Sequence, residues 1–264
     1  MSENELNLEK KLHNPTLRVL ILLHLIDCCS PEGITLAAIS EQLQLPKGTI
    51  SPILKTLAAT GYISYEHAKY RIGYRSFELG LSYGKGSDIL EIVQKQMQEL
   101  VNEVEEISQF GVLTGLDVMY LVRVNSKNPI SIISEVGKRI PAYATGLGKA
   151  LLSLKSDEWL RKAYDGYVFR KIGPKSIASF SELMQAISEA RRTGFAYEQE
   201  ESNEGICCTA VPVCFSGSVQ GALSVTAPKF RLNPRRQENI EKSLMRTKGL
   251  IEEIAKIQGL CLQE

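Results

Sequence analysis

An α+β chain in two parts is predicted: a winged helix-turn-helix, then a domain in which helices gather around an antiparallel sheet. Three observations predict it. Residues 33–73 read as a helix, a tight turn, a second helix and a two-stranded hairpin. From Gln109 the apolar period changes from helical to two. The strands that follow come in hairpins with helical segments between groups of them, the pattern of an α+β domain. At 264 residues, 44% hydrophobic and 23% charged, the chain suits two ordinary soluble domains. The expected bounds are 12–75 for the first, 76–87 for a linker and 88–264 for the second.

The first dozen residues are polar and acidic and are expected outside the folded part. Asn14-Pro15-Thr16 then starts a helix, with Asn14 as cap and Pro15 at the first helical position, running to Cys28. It is apolar on more than one face. Leu22, Leu25 and Ile26 exceed what one small domain needs, which points to contact with another subunit, the alternative being that they complete the local core. His24 is expected to be a packed side chain.

Thr35 is a capping hydroxyl ahead of Leu36, Ile39 and Leu43 at helical spacing. Gln44-Leu45-Pro46 breaks that helix. The next carries Ile50, Ile53, Leu54 and Leu57 inward and leaves Lys47, Thr49, Ser51 and Lys55 for a DNA major groove. Gly61 stops it. Pro52 is tolerable only in a first turn, where its missing N–H has no intrahelical partner, so this helix is expected to begin late, near Thr49. Two short strands around Glu66-His67-Ala68-Lys69 form the wing, whose Lys69 and Arg71 can reach phosphates. The alternative is a helical interaction module without DNA. Residues 1–86 hold nine Lys and Arg against eight Asp and Glu, so affinity is expected to depend on dimerisation and on helix N-termini facing phosphate.

Residues 74–80 read as a short helix and 84–87 as a flexible joint. From Asp88 an amphipathic helix carries Ile89, Val93, Met97, Leu100, Val104 and Ile107 in one stripe, with Glu105 and Glu106 outside it. Strands are expected at 110–114, 118–124 and 130–136, helices at 146–154, 156–164 and 181–192, and strands again at 195–198, 206–214 and 219–227. Asn233-Pro234 launches a long final helix with Ile240, Leu244, Ile251 and Ile254 inside.

Two stretches hold candidate chemistry. In 144–149, two glycines let backbone approach a ligand and a helix N-terminus favours an anion, although such a stretch also serves as a tight helix entry, and Lys149 can simply point to solvent. Ser224 and Thr226 alternate with Leu223 and Val225, so both hydroxyls share one side of a strand, lining a cavity or facing solvent. Glu198, Glu200, Glu201 and Glu204 read as charge on a solvated loop.

Six cysteines without a C-x-x-C pair fit reduced thiols, and the three histidines lie away from any cysteine cluster, so neither a metal nor a cofactor is expected. The N-terminus lacks the basic-then-apolar order of a signal peptide, and no apolar run approaches the roughly 20 residues of a membrane span, so a cytoplasmic protein is expected.

The stretches LPKGTISPILKTLAATGYI and KYRIGYRSFELG resemble the N-terminal domain of the IclR family of bacterial transcription regulators. PAYATGLGKALLS, ELMQAISEARRTGFAYEQEESNEGICCTAVPV and GALSVTAP resemble its effector-binding domain, in family order. The resemblance implies a GAF-like second domain, operator DNA as partner, a homodimer or homotetramer, no enzymatic activity, and a small-molecule effector, a carboxylic acid. It also implies a pocket formed by Tyr143, Thr145, Gly146, Leu147, Glu198, Ile206, Cys208, Ser224 and Thr226. Tyr143 stands where many relatives have histidine, leaving a phenol at the mouth, and Pro52 where an arginine is common. Two alternatives remain: a ligand or redox sensor using Cys208, and an interaction protein that has lost operator binding.

Overall fold

The computed structural model describes residues 12–85, 88–127, 133–214 and 220–260. Most of the polar N-terminal dozen, Gly86 and Ser87 of the expected joint, residues 130–132 of an expected strand, Val219 and Cys261 lie outside these ranges. The chain divides between Gly86 and Ser87 into two compact units.

The first unit opens with α1 (Asn14–Cys28), whose N-cap position is His13, without a side-chain cap bond, and not Asn14, which is already helical. Leu22 and Ile26 are fully buried, so the surplus apolar residues of this helix are Leu20 and Ile21 instead. His24 is exposed, not packed, and its Nε2 lies 3.7 Å from the Cys28 sulfur, one helical turn on. Helix α2 (Leu36–Leu43) starts where the Thr35 hydroxyl accepts from the Ala38 N–H at 3.2 Å. Gln44, at φ 51°, turns the chain into α3 (Lys47–Ala59).

The late start expected for α3 is not found. Pro46 is its N-cap, and Pro52 sits in the helix interior, where it has no N–H to offer the Gly48 carbonyl. The ring itself is exposed, and Ile50, Leu54 and Leu57 pack with Leu22, Ile26, Ile34, Ile39 and Ile63 into the unit's core. That packing holds the helix despite the missing bond.

Strands β1 (Ile63–Glu66) and β2 (Lys69–Ile72) pair antiparallel, with His67 and Ala68 both at positive φ in the two-residue tip. Ile34 bridges to Tyr70 and so ties the chain before α2 to the wing. The next helix, α4 (Tyr74–Lys85), is longer than expected, and most of the supposed linker is helical.

The second unit is a six-stranded antiparallel sheet between two helical layers. Its strands are β3 (Ile107–Thr114), β4 (Asp117–Val124), β5 (Arg139–Pro141), β6 (Ala196–Gln199), β7 (Ile206–Cys214) and β8 (Gln220–Pro228), in the order β5-β4-β3-β8-β7-β6. The third strand lies at β5, not at 133–136, which is turn and irregular chain. On one face pack α5 (Asp88–Val104) and α9 (Pro234–Gln258), burying Val93, Met97, Leu244 and Ile251 against Phe110, Leu223 and Val225. On the other pack α6 (Gly146–Ser153) and α8 (Phe180–Thr193), with α7 (Asp157–Ala163) contributing Leu160 to the same core. Ile254 of α9 is half-buried.

Helix α5 ends before Ile107, which belongs to β3, because Glu105 takes a left-handed conformation. Glu106 is consequently turned inward. It is fully buried between Arg231 (3.1 Å) and Arg236 (2.9 Å), and this clamp joins the end of α5 to the start of α9.

Candidate functional site

In the first unit, Lys47 and Lys55 are exposed on α3, while Thr49 and Ser51 are half-buried beside them. Lys69 is half-buried on the wing. Arg71 is engaged elsewhere: its Nε donates to the Pro31 carbonyl at 2.9 Å and its Nη2 to the Glu32 carbonyl at 3.2 Å. The guanidinium braces the wing against the loop before α2, a demand its phosphate role did not anticipate.

In the second unit a small cavity of about 20 Å³ opens between the sheet and the N-terminus of α6. Eight of the nine pocket residues named from the sequence line it: Thr145, Gly146, Leu147, Glu198, Ile206, Cys208, Ser224 and Thr226. The local reasons are visible. Both faces of β8 are buried, so Leu223 and Val225 enter the α5–α9 layer, while Ser224 and Thr226 join Ala222 on the α6 side. Thr145 caps α6 by accepting from the Gly148 N–H at 2.9 Å. A side chain at Gly148 would place its Cβ 2.1 Å from the Ala142 carbonyl oxygen, and one at Gly146 would meet the Cys208 sulfur at 2.9 Å. Gly146 lets the helix start approach β7, and Gly148 lets it fold closely over the turn at Ala142.

Tyr143 is the exception. Its phenol donates to the Arg170 carbonyl (2.8 Å) and accepts from the Arg170 N–H (3.0 Å), and its ring packs edge-on against Tyr167 and Phe169. It is a core side chain and not a group at the cavity mouth. The phenol that lines the cavity is Tyr120, on β4.

The sequence reading also missed Gln109, Ser134, Ser202 and Asn203. Gln109 had a signal, a polar residue inside an apolar strand. Its amide donates to the Ser134 hydroxyl at 2.7 Å, and its oxygen accepts from Thr226 at 3.3 Å.

The acidic cluster is not a solvated loop, Glu204 apart. Glu198 is 2% exposed. Its Oε1 accepts from the Glu201 N–H (2.7 Å), the Ser202 N–H (3.0 Å) and the Ser202 hydroxyl (3.3 Å). Burial raises its carboxyl to about 7, against the pull of those two backbone bonds. Lys149, rather than pointing to solvent, is 2% exposed and binds Glu201 Oε1 at 2.5 Å. Glu200 accepts from Lys175 (2.6 Å) and Lys229 (2.7 Å), and the two ammonium groups hold it down at about 2. Burial, reinforced by the Glu198 charge, pushes the Cys208 thiol up to about 12. Among the described residues no group of three or more His, Cys, Asp or Glu is arranged to hold a metal, and no helix is long and apolar enough to cross a membrane.

A helix-turn-helix with a wing, followed by a sheet domain with a polar cavity at a helix N-terminus, defines a one-chain DNA-binding regulator with a ligand-binding module. Residues 17–67 match the family described as the IclR helix-turn-helix domain, and residues 81–251 match the bacterial transcriptional regulator IclR C-terminal family. The chain belongs to the IclR family of transcriptional regulators.

The HTH-type transcriptional regulator XynR of Escherichia coli is 31% identical over 209 residues, covering 78% of this chain and 83% of that one. KdgR of the same species is 28% identical over 207 residues, covering 77% and 78%. Among solved structures, an IclR homologue from Microbacterium hydrocarbonoxydans complexed with 4-hydroxybenzoate superposes with a TM-score of 0.75 at 23% identity, over 90% of this chain and 97% of that one.

Proposed function

We propose that this regulator reads two half-sites of a pseudo-palindromic operator as a homodimer or homotetramer, with residues 12–75 as the DNA-binding module and 88–264 as the effector module. Lys47, Thr49, Ser51 and Lys55 meet the major groove and Lys69 the phosphates. The subunit contact falls on the first unit, where Leu20 of α1 is 57% exposed and Phe77 of α4 is 67% exposed.

The effector is a small carboxylic acid held in the cavity beneath α6, and it acts by its different affinity for the operator-competent and operator-incompetent arrangements. The observation that carries this is the convergence of a helix N-terminus, the Ser224 and Thr226 hydroxyls and Glu198 on one buried space. The space is about the size of one water, so its lining must yield for an acid to enter. The protein works in the cytoplasm and catalyses no reaction. A redox role for Cys208 is disfavoured, because a thiol held at about 12 carries almost no thiolate near neutrality.

The experiment is selection of fragments from the source genome on the purified protein, then anisotropy titration of the best site across a salt series, with and without small carboxylates. A palindromic site bound with a steep salt slope and released or tightened by one acid is the expected result. No enriched fragment, with or without acids, would sink it.

A further inference from the structure

We propose that a carboxylate effector enters the cavity together with a proton, so that it is held as an acid pair in which protonated Glu198 donates a hydrogen bond to the ligand carboxylate. This rests on the carboxylate effector proposed above and adds how its charge is accommodated. Of the described residues that line the cavity, all are neutral side chains such as Gln109, Tyr120, Thr145, Ser224 and Thr226, except Glu198, the one carboxylate. An incoming anion therefore meets a buried acid and no lining cation.

The charged and titratable groups around Glu198 bear this out element by element. From α6, Lys149 pairs with Glu201 at 2.5 Å and lowers Glu198 only as the weakest of the influences on it. From the loop after β6, Glu201 adds a further negative charge. From β4 and β7, the Tyr120 phenol and the Cys208 thiol are both raised by burial and stay neutral. Cys207, also on β7, is raised too. The one remaining positive feature is the N-terminus of α6, a partial charge.

Two carboxylates sharing one buried site do not both ionise near neutrality, and the proton is retained between them. Glu198 is ready to supply that arrangement, since burial has already brought it to about 7. The balance is simple: ligand carboxylate, Glu198 carboxylate and one proton from the buffer give one neutral acid hydrogen-bonded to one anion.

The test is calorimetric titration of the full-length protein with acetate and with lactate, between about pH 6 and about pH 8.5, in pairs of buffers with different ionisation heats. Wild type should take up close to one proton per ligand at the alkaline end, and its affinity should fall about tenfold per pH unit there while levelling off on the acid side. Glu198→Gln, a permanent mimic of the protonated form, should bind with no proton uptake and flat affinity, its fold checked by thermal melting. If that variant fails to fold, the proton count of wild type still decides. Binding by wild type with no proton uptake and no pH dependence overturns the shared proton while leaving the carboxylate effector standing. Binding of neither acid by either protein at any pH overturns the carboxylate effector itself, and the shared proton with it.

Discussion

Lys149 and Glu201 show how much of the second unit depends on single side chains. A buried ion pair adds little over an apolar pair of the same shape, but removing one partner strands the other charge. Lys149→Met should therefore destabilise the protein by about 3 kcal/mol in chemical denaturation, without change in the DNA-binding unit. The glutamates around this pair make opposite contributions with pH. Glu200 is depressed to about 2, so its contribution is present above the ordinary carboxylate range and is lost as pH falls through about 2. Glu198 is raised to about 7, so its contribution is full below its unfolded value and is lost as pH rises through about 7. Thermal melts should show Glu198→Gln gaining on wild type between about pH 5 and about pH 8. Little of this was legible in the sequence. Alternation along β8 put Ser224 and Thr226 on one side, because a strand has a fixed period. No period connects Lys149 to Glu201, and four glutamates near a turn look like a solvated loop until the fold buries three of them.

At the scale of elements, β7 falls at residues 206–214, as the sequence predicts, whereas α3 begins three residues earlier than the Pro52 argument required, with Pro46 as its cap where Thr49 was needed. The missing hydrogen bond is a real local cost, but three buried side chains of that helix, Ile50, Leu54 and Leu57, outweigh it. Pro52→Ala restores an N–H facing the Gly48 carbonyl and should stabilise the first unit by up to about 3 kcal/mol, read by its melting. Arg71 sharpens the distinction between shape and contact. Arg71→Ala should lower the melting of the first unit, whereas Lys47→Ala and Lys55→Ala should leave it unchanged and each flatten the salt dependence of operator binding by about one unit of slope.

For the whole molecule, the near-neutral charge of the first unit is the reason the proposed homo-oligomer should matter for operator affinity. Leu20→Glu together with Phe77→Glu should give monomers in sedimentation, with operator binding reduced beyond anisotropy detection while both units stay folded; a dimer that persists would move the contact elsewhere. The order of domains was legible because several motifs follow one another in family order. The extent of α4 was not, since glycines at 84 and 86 suggest a joint whether or not a helix runs up to them.

The Glu106 clamp bears on how such a molecule can move. Two arginines pin the C-terminal end of α5 to α9, whereas its other end, Asp88, follows directly on the junction with the DNA-binding unit. Mechanically that is a strut seated along its whole length, since Ile89, Val93, Met97 and Leu100 are all buried in the core it shares with α9 and the sheet. Over 17 residues the strut is about 25 Å long, so a displacement at Asp88 would have to be taken up by the whole packed layer and not by a pivot at the clamp.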